Sequence, residues 1–326
     1  MTELLKRLML VSGVSGREHA VREAIIKEVE PYADEIITDP VGNLIVRKKG
    51  EGKRVMFCAH MDEIGFFVTY IEESGVIRVS CVGGINTLAC AYTYVVSENG
   101  VKGIIVPEGS KDVPKMDGMY IDIGAKTKKQ AEAKVKIGDY FVHVPAFRRL
   151  NGSTRYIGRP FDDRIGCAVL IETLKNVKNT DNDLYFVFSV QEEVGCRGAK
   201  PAAYSIEPEV GIAIDVTAVG GKPGAPTMDV KLGGGAAIKI KDASVICSYE
   251  IVNKMRELAK ENKVKYQEEI LIRGGTDTSA MQISKGGCLA GAISVPSAYI
   301  HSVNEMIDMS DVKEIVKLAT LVAERI

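Results

Sequence analysis

Tryptophan is absent from the 326-residue chain, and histidine occurs only four times, as His19, His60, His143 and His301. Without tryptophan the chain lacks a favoured stacking surface for sugars, which argues against a carbohydrate-cleaving protein. Neither sign of charge dominates: 42 Lys+Arg against 43 Asp+Glu leave a net charge of −1, so neither a nucleic-acid nor an acidic-membrane partner is indicated. No apolar run is long enough to span a bilayer, and the opening MTELLKRLMLVSGVSG is too briefly apolar for a secretory leader. The seven cysteines (58, 81, 90, 167, 196, 247, 288) are scattered, odd in number and free of CxxC spacing. Several lie in apolar runs such as VMFCAHM, where cysteine acts as a small hydrophobe. These absences lead to the expectation of a cytoplasmic protein with reduced thiols.

What remains is a globular composition, 46% hydrophobic and 26% charged, with no low-complexity tract or internal repeat and enough length for one large domain or two ordinary ones. GREHAVREAIIKEVE (16–30) carries apolar residues at helical spacing, with Ser15 as an N-cap candidate. IITD-PVGN-LIVRKK (36–49) reads as two strands around a turn, followed by the buried strand RVMFCAHM (54–61). From about Phe66 to Gly158, short alternating runs such as FFVTYI, VIRVSCV and DYFVHV are broken by Gly, Asn and Lys, the pattern of a small antiparallel β unit. Strands of that length present edges, so this unit is expected to contact other subunits. After Pro160 strands alternate with helices to the closing SDVKEIVKLATLVAERI. The pattern predicts an α/β fold, a three-layer partly parallel sheet, from residues 1–65 and 159–326, with 66–158 as an inserted β domain.

Ligands of open α/β sheets gather at the carboxyl ends of strands. Five polar clusters sit at such ends: His60-Met61-Asp62-Glu63, Asp162-Asp163, Glu192-Glu193, Asp215, and His301 in the loop after ISVPSAY. Taken singly, each has an ordinary explanation: a satisfied strand-end histidine, a helix cap, a solvated acid, a turn residue. Taken together, two histidines, two aspartates and a glutamate supply what a dinuclear site for borderline divalent ions needs, with one carboxylate bridging. Asp62 shares a strand face with His60 and is placed to accept its second ring N–H. One of the two adjacent glutamates is then left over to act as a base toward water.

HMDEIG, FDDRIG, QEEVGCRGA, AIDVT, GGTDTSA and IHSVNEMID, in that order, resemble the co-catalytic metallo-aminopeptidases of family M42. That family includes the tetrahedral (TET) aminopeptidases and proteins once labelled endoglucanase M. The resemblance implies a zinc-peptidase type of mixed sheet with an inserted β-barrel or PDZ-like domain. It implies two divalent ions, zinc or cobalt, with Asp162 bridging. His60 and Asp215 would complete one ion's shell, and Glu193 and His301 the other's. Glu192 would be the general base, Asp62 would orient His60, and the Asp162-Asp163 peptide would be cis. Short peptides would be the substrate and a homo-oligomer, in this family often of twelve subunits, the assembly. Residues 105–127 and the loop around Lys222 are where the chain would be shortened or mobile. A two-metal carboxypeptidase or deacylase shares this logic and is the alternative, since only the pocket separates them. A glycosidase needs two acids flanking a sugar and no histidine ligand. His19 and His143 join no cluster and are assigned no role.

Overall fold

Along RVMFCAHM, Val55, Phe57, Ala59 and Met61 belong to one apolar cluster and Met56 and Cys58 to another, so this strand is covered on both faces. That requirement organises the molecule. The computed structural model describes residues 1–109 and 115–326. The chain opens with α1 (Thr2–Met9) and α2 (His19–Val29), then β1 (Glu35–Thr38), β2 (Leu44–Lys48) and β3 (Arg54–His60). β4 (Gly65–Ile71), β5 (Ile77–Val82), α3 (Thr87–Cys90), β6 (Thr93–Ser97), β7 (Lys102–Pro107), β8 (Met119–Asp122), α4 (Lys128–Glu132) and β9 (Tyr140–His143) follow. Next come β10 (Ala146–Arg149), β11 (Arg155–Arg159), α5 (Arg164–Asn176), β12 (Asp183–Ser189), α6 (Ala199–Ile206), β13 (Val210–Thr217) and β14 (Ala236–Lys241). The chain closes with α7 (Tyr249–Glu261), β15 (Tyr266–Ile270), α8 (Asp277–Gln282), β16 (Leu289–Ala298), β17 (Glu305–Asp308) and α9 (Met309–Arg325).

Eleven described strands form one mixed sheet in the order β1-β2-β12-β3-β13-β16-β17-β11-β10, with β14 joining β16 to the edge strand β15. β12, β3, β13 and β16 are mutually parallel neighbours, so their carboxyl ends lie along one edge. Helices α1, α2, α5, α7 and α9 cover one face and α6 with α8 the other, which gives three layers. Phe57 and Phe186 stack across β3 and β12 with centroids 5.5 Å apart. Both are fully buried, and truncating either to Ala is worth about 3–5 kcal/mol. No helix among the described residues is long and apolar enough to cross a membrane.

The inserted strands close into a barrel, β4-β5-β8-β7-β6-β9, around Phe66, Val68, Ile77, Val95, Ile105, Ile121 and Phe141. Closure removes the free edges that the short strands led one to expect, so strand edges are not what this unit offers a partner. The β10–β11 hairpin, which runs from within 66–158 to Arg159, pairs through β11 with β17 in the large sheet. Ser15 does not cap α2; its Oγ donates to Asp62 Oδ2 at 2.6 Å, and the N-cap position is Glu18. Within 105–127, residues 110–114 lie outside the described residues, and in the loop at Lys222 the Nζ donates to Tyr299 Oη at 3.0 Å.

His19 is exposed, whereas His143 is buried in the barrel with its ring edge-on to Phe66. Thr93 Oγ1 donates to the Cys90 carbonyl at 2.6 Å and is left to accept from His143 Nδ1 at 3.1 Å. His143 Nε2 then accepts the Cys90 thiol proton at 3.4 Å. Burial, together with the nearby Arg159 charge, pushes His143 down to about 3, in keeping with this neutral tautomer.

Candidate active site

The four parallel strands deliver the expected residues to one edge. His60 ends β3, Glu192 and Glu193 follow β12, Asp215 lies in β13, and His301 follows β16. Asp162 arrives from the other direction, just before α5, and its peptide bond to Asp163 is cis. Asp163 Oδ1 accepts from Gly166 N at 3.0 Å as the cap of α5, and Oδ2 accepts from His60 N at 3.2 Å.

Asp162 is the centre of the arrangement. Its Oδ1 lies 3.0 Å from His60 Nε2, and its Oδ2 lies 3.1 Å from His301 Nε2. Asp215 Oδ1 is 3.8 Å from His60 Nε2, and Glu193 Oε1 is 3.2 Å from His301 Nε2. The residues therefore fall into two groups, His60–Asp162–Asp215 and Asp162–Glu193–His301, each with donor atoms within 4.8 Å of one another and with Asp162 shared.

Two neutral-capable imidazoles and three carboxylates suit zinc, cobalt or manganese. Two observations show that the cluster fits a cation. Glu193 Oε1 is buried and makes no well-directed hydrogen bond, its nearest donor being His301 Nε2 at 3.2 Å, although buried carboxylate oxygens are normally satisfied. Burial disfavours charge on His301, yet the carboxylates of Asp162 and Glu193 outweigh it and push the imidazole up to about 11. Negative charge that holds a proton so firmly also attracts a metal ion.

The adjacent glutamates reach one site because the backbone has already turned. β12 ends at Ser189, Gln191 adopts a left-handed conformation (φ 56°), and Gly195 N and Cys196 N both bond to Glu192 O, at 2.8 and 2.9 Å. Glu193 points into the His301 group, while Glu192 belongs to neither histidine group. Burial, with Asp215, Asp277 and Glu193 nearby, raises the proton affinity of Glu192 well above that of an ordinary carboxylate.

Asp62 does more than orient an imidazole. Its backbone carbonyl lies 3.0 Å from His60 Nδ1 and its Oδ1 lies 3.4 Å away, so the nearer acceptor is main chain. Its carboxylate also accepts from Glu192 N at 3.0 Å and Glu193 N at 3.2 Å. Three supporting acids escaped the sequence reading. Glu18 Oε1 accepts from Gln191 N at 3.1 Å, which extends the row of pinned backbone donors. Glu305 accepts from Phe161 N (2.6 Å), Asp162 N (3.2 Å) and His301 N (3.2 Å), tying both ends of the bridge together. Asp277, in the GGTD motif, accepts from Ser189 Oγ at 2.5 Å behind Glu192. Asp277 lies in GGTDTSA and Glu305 in IHSVNEMID, motifs that carried the resemblance, but neither residue was given a role, and Glu18 was read only as part of a helix.

A cavity of about 850 Å³ opens onto His60, Asp162, Glu192, Glu193 and His301. Val216, Ala218, Pro226, Leu271 and Ile272 also line it, together with polar residues such as Thr217, Ser244 and Arg273, so the cavity can receive an apolar group as well as polar ones.

Residues 42–318 match the family model described as M42 glutamyl aminopeptidase. The chain is 48% identical to a putative aminopeptidase of Acetivibrio thermocellus over 98% of this chain and 97% of that one. It is 33% identical to the lysyl aminopeptidase of Pyrococcus furiosus, over 99% and 97% of the two chains. The TET1 peptidase of Pyrococcus horikoshii, which assembles into a tetrahedron or a large octahedral shell, superposes with a TM-score of 0.90 at 38% identity, covering 99% of each chain.

Proposed function

Because the chain belongs to the M42 aminopeptidase family, hydrolases of peptide bonds, we propose that it removes N-terminal residues from short peptides with two divalent ions, zinc or cobalt, and Glu192 as general base. The observation that carries this reading is the placing of Asp162, one oxygen toward each histidine, with a carboxylate on the neighbouring turn that belongs to neither group. His60, Asp162 and Asp215 would hold one ion, and Asp162, Glu193 and His301 the other. When bound, such a pair polarises the scissile carbonyl and makes the attacking water more acidic.

The chain's own groups do the rest. Glu192 takes the proton from the attacking water as oxygen bonds to the carbonyl carbon. It returns that proton to the departing amine as the C–N bond breaks. Its proton affinity, raised chiefly by burial, favours holding the proton between the two halves of this transfer. Asp62 fixes the Glu192 and Glu193 backbone so that the neighbours keep different tasks. The apolar wall at Val216, Ala218 and Leu271 receives part of the substrate and excludes water beside the reacting bond.

Two variants test the assignment. Glu192→Gln keeps the side chain's size but cannot accept the water's proton. It should retain both metal equivalents and lose about two to four orders of magnitude in kcat on aminoacyl-p-nitroanilides. Glu193→Gln should weaken one metal site, and added metal should restore part of the rate. Metal loss in Glu192→Gln with retention in Glu193→Gln would reverse the roles. Blocking the substrate amine by acetylation should abolish turnover; undiminished cleavage of the acetylated substrate would favour the deacylase or carboxypeptidase alternative.

A further inference from the structure

The backbone of the proposed base is fixed on both sides, yet its carboxylate is held by one side chain. Glu192 N donates to Asp62 Oδ1 at 3.0 Å, and Glu192 O accepts from Gly195 N and Cys196 N at 2.8 and 2.9 Å. The Glu192 carboxylate itself accepts only from Cys196, whose Sγ lies 3.3 Å from Oε1; the described residues offer Oε2 no hydrogen-bond partner. Both side chains line the substrate cavity. A glutamate has three rotatable side-chain bonds, so a carboxylate without any partner samples several positions.

We propose that Cys196 is a positioning residue for the reaction: its thiol donates to Glu192 Oε1 and leaves Oε2 as the oxygen that meets the attacking water. The turn presets this contact. Cys196 is left-handed (φ 52°), and its N–H bonds to the carbonyl of Glu192, which brings the sulfur back to the side chain of the same residue. Burial, with Asp277 and Glu192 nearby, pushes the thiol far up, so sulfur keeps the proton it donates. A thiol is a weaker donor than a hydroxyl. It therefore gives the carboxylate a direction while taking little from its basicity.

Space filling is the competing account, because Cys196 also packs against the apolar cluster that includes Met56 and Ala199, and cysteine serves well as a small hydrophobe. That account does not require the sulfur to face a carboxylate, and it gives the thiol proton no task. The two accounts part on which replacement is tolerated: alanine preserves apolar contact and removes the donor, whereas serine keeps a donor and adds polarity. Neither histidine group includes Cys196, so replacing it should leave both sets of metal ligands in place. The inference rests on Glu192 being the base.

The test is a double-mutant cycle on the full-length, metal-loaded enzyme with aminoacyl-p-nitroanilides, with metal content and thermal unfolding recorded for every variant. Cys196→Ala should lower kcat about three- to tenfold, the worth of one weak hydrogen bond to a carboxylate, with KM within about twofold of wild type. Cys196→Ser should recover most of that loss. In the Glu192→Gln background, Cys196→Ala should change kcat by less than about twofold, because no base remains to be oriented. A full loss that persists in that background overturns the proposal, as do equal losses in Cys196→Ala and Cys196→Ser. Wild-type kcat in Cys196→Ala overturns it too and returns the residue to space filling. Wild-type kcat in Glu192→Gln instead refutes Glu192 as the base, and the positioning role falls with it.

Discussion

Asp62→Asn changes one atom in a fully buried side chain and shows how much of the site is held by hydrogen bonds to main chain. In the wild type, Oδ2 accepts from Ser15 Oγ (2.6 Å) and Glu193 N (3.2 Å). Oδ1 accepts from Glu192 N (3.0 Å) and faces His60 Nδ1 (3.4 Å). An asparagine must place its NH₂ group at one of these positions. At the Oδ1 position it would oppose both Glu192 N–H and His60. At the Oδ2 position the Ser15 hydroxyl can reverse and accept, which leaves only Glu193 N–H unpaired. The second arrangement is cheaper, and one unpaired buried N–H costs about 1–3 kcal/mol. Loss of charge from the remaining bonds adds about 1 kcal/mol, for a total of roughly 2–4 kcal/mol. Urea unfolding of the metal-free protein, followed by far-ultraviolet circular dichroism because no tryptophan is present, measures this directly. Since Glu192 and Glu193 lose a fixed backbone, kcat should fall about 10–100-fold, as for other supporting partners of metal ligands. A variant within 1 kcal/mol of wild type and within twofold in kcat would refute the reasoning. Ser15→Ala is the control: it leaves both backbone N–H groups paired and should cost only about 1 kcal/mol.

Asp162→Ala should abolish binding of both metal equivalents, measured by elemental analysis, because its two oxygens face both histidines; two retained equivalents would move the bridge to another carboxylate. His143 predicts a pH dependence. Its folded pKa, about 3, lies below the unfolded value near 6.5, so the unfolded chain binds more protons between those limits. The stability His143 confers is complete above about pH 6.5 and declines by up to about 1.4 kcal/mol per pH unit toward pH 3. His143→Gln should flatten that slope, and parallel wild-type and variant curves between pH 6 and 4 would refute it. Leu88, Tyr92 and Tyr94 on the inserted domain are more than half exposed (63, 68 and 76%), so they are the residues we expect a second copy to cover if the chain assembles as we propose. Light scattering should show an assembly that Tyr92→Glu/Tyr94→Glu reduces, and a wild-type monomer at micromolar concentration would contradict it.

Much of this architecture was legible because it is local. The continuous apolar run of RVMFCAHM and the helical spacing in RIGCAVLIETLKN are carried by neighbouring residues, and both segments fold as their patterns indicate. α1 was legible but overlooked: Leu4, Leu5, Leu8 and Met9 have helical spacing, and all four are buried. α6 was masked by Pro201, which reads as punctuation but sits in the helix's first turn, where no N–H is needed. The barrel was expected from the family resemblance alone; strand patterning does not reveal its closure, which depends on β4 pairing with β9, as in Phe66 with Phe141, far along the chain. The site residues announced themselves by lying at strand ends, whereas Glu18 at the N-cap of α2 and Glu305 at the start of β17 act through backbone N–H groups, a role that no pattern of residue types reveals.

Glu18 and Glu305 do a particular job. A left-handed conformation costs a residue other than glycine roughly 1–2 kcal/mol. Eight such residues occur among the described positions, and three of them, Gln191, Cys196 and His301, border the site. Gln191 bends the chain so that two consecutive glutamates face one cluster, and its N–H is held by Glu18 from 173 residues away. His301 turns its imidazole back toward Asp162, and its N–H is held by Glu305, which also holds Asp162 N. A charge-assisted bond to a backbone N–H contributes about 1.5–3 kcal/mol, enough to offset a left-handed residue and leave a margin. The same carboxylates that fix the ligands thus offset the strain of the turns presenting them. On this account Glu18→Ala should damage the geometry of Glu192 through Gln191 without touching either histidine group.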